Sequence, residues 1–216
     1  MKLTIIYDNE TSEKGLQADW GFSCLVETDG GHRILFDTGA DGAILLRNME
    51  LLGLQPASID EVFISHPHWD HTGGLASLID GNPTATLYLP ASMASWASHN
   101  GLEHAICISE PIRIYEGVCS TGELGGIEQS LVVETAAGLA VIAGCSHPGV
   151  GAILETASRR GRVNYLIGGL HGFREYDLLA DLELVCPCHC TQFKSGIEKA
   201  YPMKYTRGGV GRIMEL

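Results

Sequence analysis

No stretch of the 216 residues approaches the ~20 uninterrupted apolar residues that a membrane-spanning helix needs. The start, MKLTIIYDNE, holds one lysine, a short strand-like run and then acid, with neither the apolar length nor the cleavage site of a secretory leader. A cytoplasmic protein with no membrane partner is expected. Positive charge is scarce as well: 14 lysines and arginines face 26 aspartates and glutamates, a formal charge of -12. Such a surface repels phosphate backbones and gains nothing from counterion release. Its densest basic spot is Arg159, Arg160 and Arg162, so nucleic acid is not an expected partner. The seven cysteines are an odd number in a chain without a leader, which argues against a disulfide framework and for free thiols, some of them near metal. There is no internal repeat, no low-complexity linker and no charge block. The length suits one well-buried domain over residues 1–216 and is too short for two large ones.

Hydrophobic patterning supplies the elements. KLTIIYD (2–8), FSCLVET (22–28) and HRILFDT read as strands, the last two joined as a hairpin by Asp29-Gly30-Gly31. Ile44, Leu45, Met49 and Leu52 predict a helix over 41–52, closed by Gly53. EVFIS (61–65) is a buried-strand signal, Thr72-Gly-Gly-Leu opens a helix to about 80, ATLYLP (85–90) is a strand and ASMASWAS (91–98) is helical. PIRIYEG, SLVVET and GLAVIAG follow as strands. A helix near 150–160, strand VNYLIGG (163–169), a helix near 174–182, strand LELVCP (182–187) and a helix over 191–200 complete the chain. Runs of strands with interspersed helices predict an α/β protein of sheets packed face to face with helices outside.

EVFIS delivers the chain into ISHPHWDHTGGL (64–75), which places three of the nine histidines and an aspartate within six positions. His66 and His68 are two apart, so in an extended segment they project to one side, and Pro67 favours extension at His66. Asp70 and His71 follow where the chain turns into a helix. Four such donors are more than one tetrahedral ion conveniently shares; the pattern suits two ions, or one ion with a hydrogen-bonding partner behind it. Trp69 is expected to pack under the loop.

Further candidates lie downstream. Cys145 and His147 of GCSH can face one pocket, and the shaped loop of Gly144, Pro148 and Gly149 favours a ligand role for His147 over a satisfied core histidine. CPCHC (186–190) reads either as a structural zinc knuckle or as a carrier of one ligand, His189. Alternation places its three thiols on one side and His189 on the other, and no second CxxC pair exists to close a knuckle, so His189 is favoured. His171 follows a strand and two glycines; substrate contact, general acid, extra ligand and plain core histidine all stay open. Asp37 either caps the DTG turn or orients a histidine ligand from behind. His32, His99 and His104 read as surface residues. The glycines of RGGVGR (207–212) resemble a phosphate cradle, but a strand follows where a helix would be needed.

With HPHWDH as an HxHxDH motif, the sequence resembles the metallo-β-lactamase superfamily nearly end to end. WGFSCLVET matches its early strand and LFDTGA carries its aspartate at Asp37. GCSHPGV, IGGLHG, PCHCT and RGGVGRIMEL look like the branch that includes the 7,8-dihydropterin-6-methyl-4-(β-D-ribofuranosyl)aminobenzene-5′-phosphate synthases. The resemblance implies an αβ/βα sandwich with the site at one edge. It implies His66, His68 and His147 on one metal, and Asp70, His71 and His189 on a second. The superfamily's bridging aspartate has no counterpart: Gly144 is followed by Cys145, which either replaces the bridge or leaves the two-metal site incomplete.

The implied cofactor is zinc, as two ions, with manganese or iron as alternatives. Two such ions bridged by water make hydroxide available near neutral pH for attack on carbon or phosphorus, with Asp70 ligating and accepting a proton. The leading expectation is a hydrolase of a small-molecule ester or phosphoester, with Asp70 and His171 as its catalytic residues. The branch implies a second, a dihydropterin-methyl synthase. The chain is short for it in the 91–120 region and shows no basic pocket for two phosphorylated substrates. A third is a non-catalytic metal-bound ligand sensor. An RNA-processing nuclease is disfavoured by the acid charge. Assembly into a homo-oligomer is left open.

Overall fold

A computed structural model describes residues 1–102 and 104–216. The first sheet takes β1 (Lys2–Tyr7), β2 (Ser23–Glu27), β3 (Arg33–Phe36), β4 (Glu61–Phe63), β5 (Thr86–Pro90) and β6 (Ile106–Ile108). The second takes β7 (Ile112–Tyr115), β8 (Val118–Ser120), β9 (Leu131–Glu134), β10 (Leu139–Ala143), β11 (Val163–Gly169) and β12 (Leu184–Cys188). The last strand, β13 (Ile213–Glu215), returns to the first sheet beside β1, giving the orders β13-β1-β2-β3-β4-β5-β6 and β12-β11-β10-β9-β8-β7.

Period-two alternation sorts the apolar residues into layers. Cys24 and Val26 of β2 meet Val133, Ala140 and Ile142 between the sheets. Leu25, between them in sequence, faces the opposite way with Leu45 and Met49 of α1 (Gly42–Leu51). Val141 and Ala143 of β10 turn to the other outer face, with Val150, Ile153 and Ala157 of the later helix over Val150–Ser158. The result is helix, sheet, sheet, helix: an αβ/βα sandwich. Each fully buried Leu or Ile stabilises it by about 1.5–3 kcal/mol. The α1 helix begins where Asp41 accepts the Ala43 and Ile44 amides, and ends at Gly53, which takes the left-handed conformation (φ 71°).

Several expectations change. The helix expected from Thr72 becomes two, α2 (Trp69–Thr72) and α3 (Leu75–Gly81). Between them Gly73 packs so tightly that a Cβ would lie 2.0 Å from the Ala40 carbonyl oxygen. The helix expected near 174–182 is a single 3-10 turn, Tyr176–Leu179. Leu179 and Leu182 bury with one turn, and the Glu183 amide already donates to the Asn164 carbonyl of β11. Strands β6 and β8 are too short to signal themselves in sequence; two of the three β6 residues are exposed, so its pairing with β5, not its pattern, makes it a strand. His32 lies at the surface as expected, where it stacks on Tyr115 and pairs with Glu61. Among the described residues, no helix is long and apolar enough to cross a membrane.

Strands β3, β4 and β5 run parallel, as do β10, β11 and β12. The carboxyl ends of parallel strands are where α/β folds present side chains to ligands. Asp37 follows β3, His66 follows β4, Cys145 and His147 follow β10, His171 follows β11, and His189 follows β12.

Candidate metal centre

The four non-glycine residues with positive φ among those described are Asp37 (53°), Ser146 (60°), His171 (42°) and His189 (45°). All four stand just beyond those strand ends. A side chain held in this conformation costs of order 1–3 kcal/mol, so the surrounding structure must impose it. What it achieves is convergence. The ligand atoms of His66, His68 and His147 lie within 4.8 Å of one another, and so do those of Asp70, His71 and His189. Cys145 joins the two halves, forming a group with His66 and His71 and another with His189 and Cys190.

Hydrogen bonds behind the imidazoles decide which nitrogen faces inward. Asp37 Oδ2 accepts the Ser65 hydroxyl at 2.7 Å and His71 Nδ1 at 2.7 Å, while Oδ1 accepts the Ser65 amide. Because that hydroxyl proton is committed, Ser65 Oγ accepts from His66 Nδ1 at 2.8 Å. Asn9 Oδ1 accepts from His189 Nδ1 at 2.9 Å. In each ring the Nδ1 proton is held outward and the Nε2 lone pair is left pointing in. His66 Nε2 and His189 Nε2 are buried with no hydrogen-bond partner. His189 Nε2 lies 3.1 Å from Asp70 Oδ2, an oxygen that already accepts Trp20 Nε1 at 2.9 Å. His147 Nε2 and His68 Nδ1 face each other at 3.2 Å. A buried acceptor left unpaired costs about 1–3 kcal/mol, and converging lone pairs repel; a bound cation relieves both. The donor chemistry fits divalent metal.

Electrostatics act in the same direction. Burial, then the charge of neighbouring imidazoles, holds His66 and His71 far below the usual histidine range, so both are neutral and available as ligands. Cys145, only 4% exposed, has its Sγ 3.2 Å from His71 Nε2. The adjacent Cys190 and then burial push its thiol well up, so it keeps its proton unless a cation displaces it.

Glu128 shapes the Cys145–His147 loop and has no sequence signal. Fully buried, it accepts the amides of Gly144, Cys145 and Ser146 on Oε1, each at 3.0 Å, and that of His147 on Oε2 at 2.8 Å. Gly144 is required for a different reason: a Cβ there would lie 2.2 Å from Ser65 Oγ.

Asp37 and all six residues expected on metal are thus brought together, with Cys145 between the two halves. His171 is not in any donor group; it is exposed at the rim, its ring centroid 5.4 Å from that of His147. It lines a cavity of about 270 Å³ with His147, Val150, Phe173 and Glu175. Two expectations are corrected. Trp69 does not pack under the loop; it begins α2 and is 63% exposed. Nor do the thiols of CPCHC share one side: β12 ends at Cys188, and the left-handed turn at His189 carries Cys190 round to the same centre. Trp20, half-exposed, is a further member that sequence reasoning missed; besides its bond to Asp70 it sets its ring edge-on to His189 at 5.0 Å.

The family model of the metallo-beta-lactamase superfamily matches residues 21–153. The 7,8-dihydropterin-6-methyl-4-(beta-D-ribofuranosyl)-aminobenzene-5'-phosphate synthase of Methanocaldococcus jannaschii is 26% identical over 242 residues, covering 81% of this chain and 82% of that protein. An uncharacterized protein of the same organism is 26% identical over 257 residues, covering 98% of this chain and 99% of its own. Among solved structures, a metal-dependent hydrolase of the beta-lactamase superfamily superposes with a TM-score of 0.82 at 25% identity, covering 100% of this chain and 99% of the other.

Proposed function

The chain belongs to the metallo-beta-lactamase superfamily, and from that premise we propose that it is a metal-dependent hydrolase of a small-molecule ester or phosphoester. The observation that carries the reading is the inward convergence of imidazole lone pairs in two adjacent donor sets. His66, His68 and His147 would hold one cation and Asp70, His71 and His189 the other, with Cys145 between the two donor sets. With nitrogen donors predominant, zinc is the favoured ion and manganese or iron the alternatives. Bound there, such ions supply Lewis acidity and lower the pKa of water.

The chain's own residues do the rest. Asp37 and Asn9 fix the imidazole tautomers, and Glu128 holds the loop that carries His147. Trp20 Nε1 anchors Asp70 Oδ2, leaving the other carboxylate oxygen to take a proton during attack. His171, at the rim beside His147 and lining the adjoining cavity, would donate a proton to a leaving group bound there. That cavity is small and lined by no lysine or arginine, which suits a compact organic group. The net charge of -12 adds no attraction for nucleic acid.

A second reading is the synthase reaction of the Methanocaldococcus relative. The alignment with it runs to 242 residues, longer than this 216-residue chain, so the relative carries segments that this chain lacks. That difference ranks hydrolysis first. Chelator-treated protein, reloaded with zinc, is expected to cleave nitrophenyl esters or phosphodiesters, and to lose the activity on re-chelation. Formation of the condensed pterin from the two synthase substrates, with no hydrolysis of either ester class, would replace this reading by the second.

A further inference from the structure

The inner wall of the centre carries a second sulfur that the proposed hydrolysis does not use. Cys190 is 9% exposed, and its Sγ lies within 4.8 Å of both Cys145 Sγ and a ring nitrogen of His189. The chain goes to some length to put it there. His189 adopts φ 45°, which ends the alternation of β12 and swings the next side chain inward. Gly169 leaves the space the sulfur fills: a Cβ at that position would lie 2.7 Å from Cys190 Sγ and 2.3 Å from the Gly144 carbonyl oxygen. Once in place, Cys190 Sγ reaches the Cys145 carbonyl oxygen at 3.9 Å, too long for a bond of consequence. Cys145 Sγ faces His71 Nε2 at 3.2 Å, a nitrogen whose lone pair points at the sulfur because Nδ1 donates to Asp37. Cys190 therefore stands beside His189, while Cys145 stands between the halves, grouped with His66 and His71 and again with His189.

We propose that the Asp70–His71–His189 half is a thiolate metal site, in which Cys145 and Cys190 both ligate the cation and make it the softer of the two positions. The proposal rests on the metal reading above and extends it to the choice of ion. Each thiol would give its proton to solvent as the cation binds, and Cys190 adds a sulfur to this half that the other half lacks. Thiolate donors hold zinc-class ions over manganese, which prefers oxygen, so the two halves select differently.

Cobalt(II) is the probe. Protein reduced and chelator-treated without oxygen is titrated with cobalt, reading the thiolate-to-cobalt charge-transfer band in the near ultraviolet while elemental analysis counts the bound metal. Wild type is expected to show the band, Cys190→Ser about half its intensity, and the Cys145→Ser/Cys190→Ser double variant none while still binding cobalt through its imidazoles. That retained cobalt also shows the double variant to be folded. Cys107→Ser, at an exposed cysteine far from the centre in sequence, keeps the full band. In a zinc-against-manganese competition the double variant is expected to lose about tenfold in preference for zinc. Cobalt bound by wild type without the band, or a band that survives in the double variant, would overturn the thiolate site and leave the metal reading standing. No cobalt bound by any form would overturn both.

Discussion

The carboxylate of Asp37 stands 2.7 Å from Nδ1 of His71, and neither side chain has any solvent exposure. The same oxygen takes the Ser65 hydroxyl, through which it also orients His66. One buried carboxyl group thus sets imidazoles in both halves of the centre. Asp37→Asn puts an amide that can donate where acceptors are needed, and it frees one of the two rings to take the wrong tautomer. Cation affinity is expected to fall by about 10–100-fold, read by competition against a chromophoric chelator. Unchanged affinity would mean that the rings are oriented by something other than Asp37.

Glu128 accepts four successive backbone amides, and a glutamine in its place could offer only one oxygen to them. Glu128→Gln is expected to lower unfolding free energy by about 2–3 kcal/mol in a denaturant titration of the metal-free protein. It should also weaken cation binding, because His147 rides on that loop. A midpoint within error of wild type would contradict the role assigned to Glu128.

Trp20 donates to Asp70 and packs its ring against His189. Trp20→Phe keeps the ring contact and removes the donor. Loss of that one bond corresponds to about 1 kcal/mol, or roughly fivefold in kcat for a hydrolysed ester. Trp20→Ala should cost more, since the cover over His189 goes too. If Phe and wild type turn over alike while Ala is impaired, the indole acts as a cover and not as an anchor for Asp70.

His66 and His71 are held neutral by burial in the folded chain, their values lowered from the ordinary 6.5. The unfolded chain binds protons at these positions below that pH and the folded chain does not. Their contribution to metal-free stability is therefore complete above about pH 6.5 and is lost as the pH falls, with a slope of about 1.4 kcal/mol per pH unit for each ring. Denaturation of chelator-treated protein from about pH 8 to about pH 5 checks this. A flat profile would contradict the neutral assignment.

The parts of the molecule that are readable in sequence are those set by local pattern. HPHWDH declares itself because a proline-stiffened alternation places two rings on one side just past a buried strand. The αβ/βα layers follow from alternation such as Cys24, Leu25 and Val26, whose neighbours face opposite layers. What stays hidden depends on chain closure. Glu128 lies sixteen residues before Gly144 in sequence and meets it only when β9 and β10 pair. Alternation puts Cys190 on the wrong side because a non-glycine residue, His189, takes a left-handed turn that no propensity announces. Trp69 sits at the start of a four-residue helix whose inward face is occupied by Asp70 and His71, and so it points to solvent.

The metal content of the protein as purified, without added metal and without a histidine tag, tests the account at its root. Elemental analysis by ICP-MS is expected to find about two equivalents of transition metal per chain, zinc foremost, falling to about one in His71→Ala. Less than about half an equivalent of any transition metal would contradict the centre on which the rest is built.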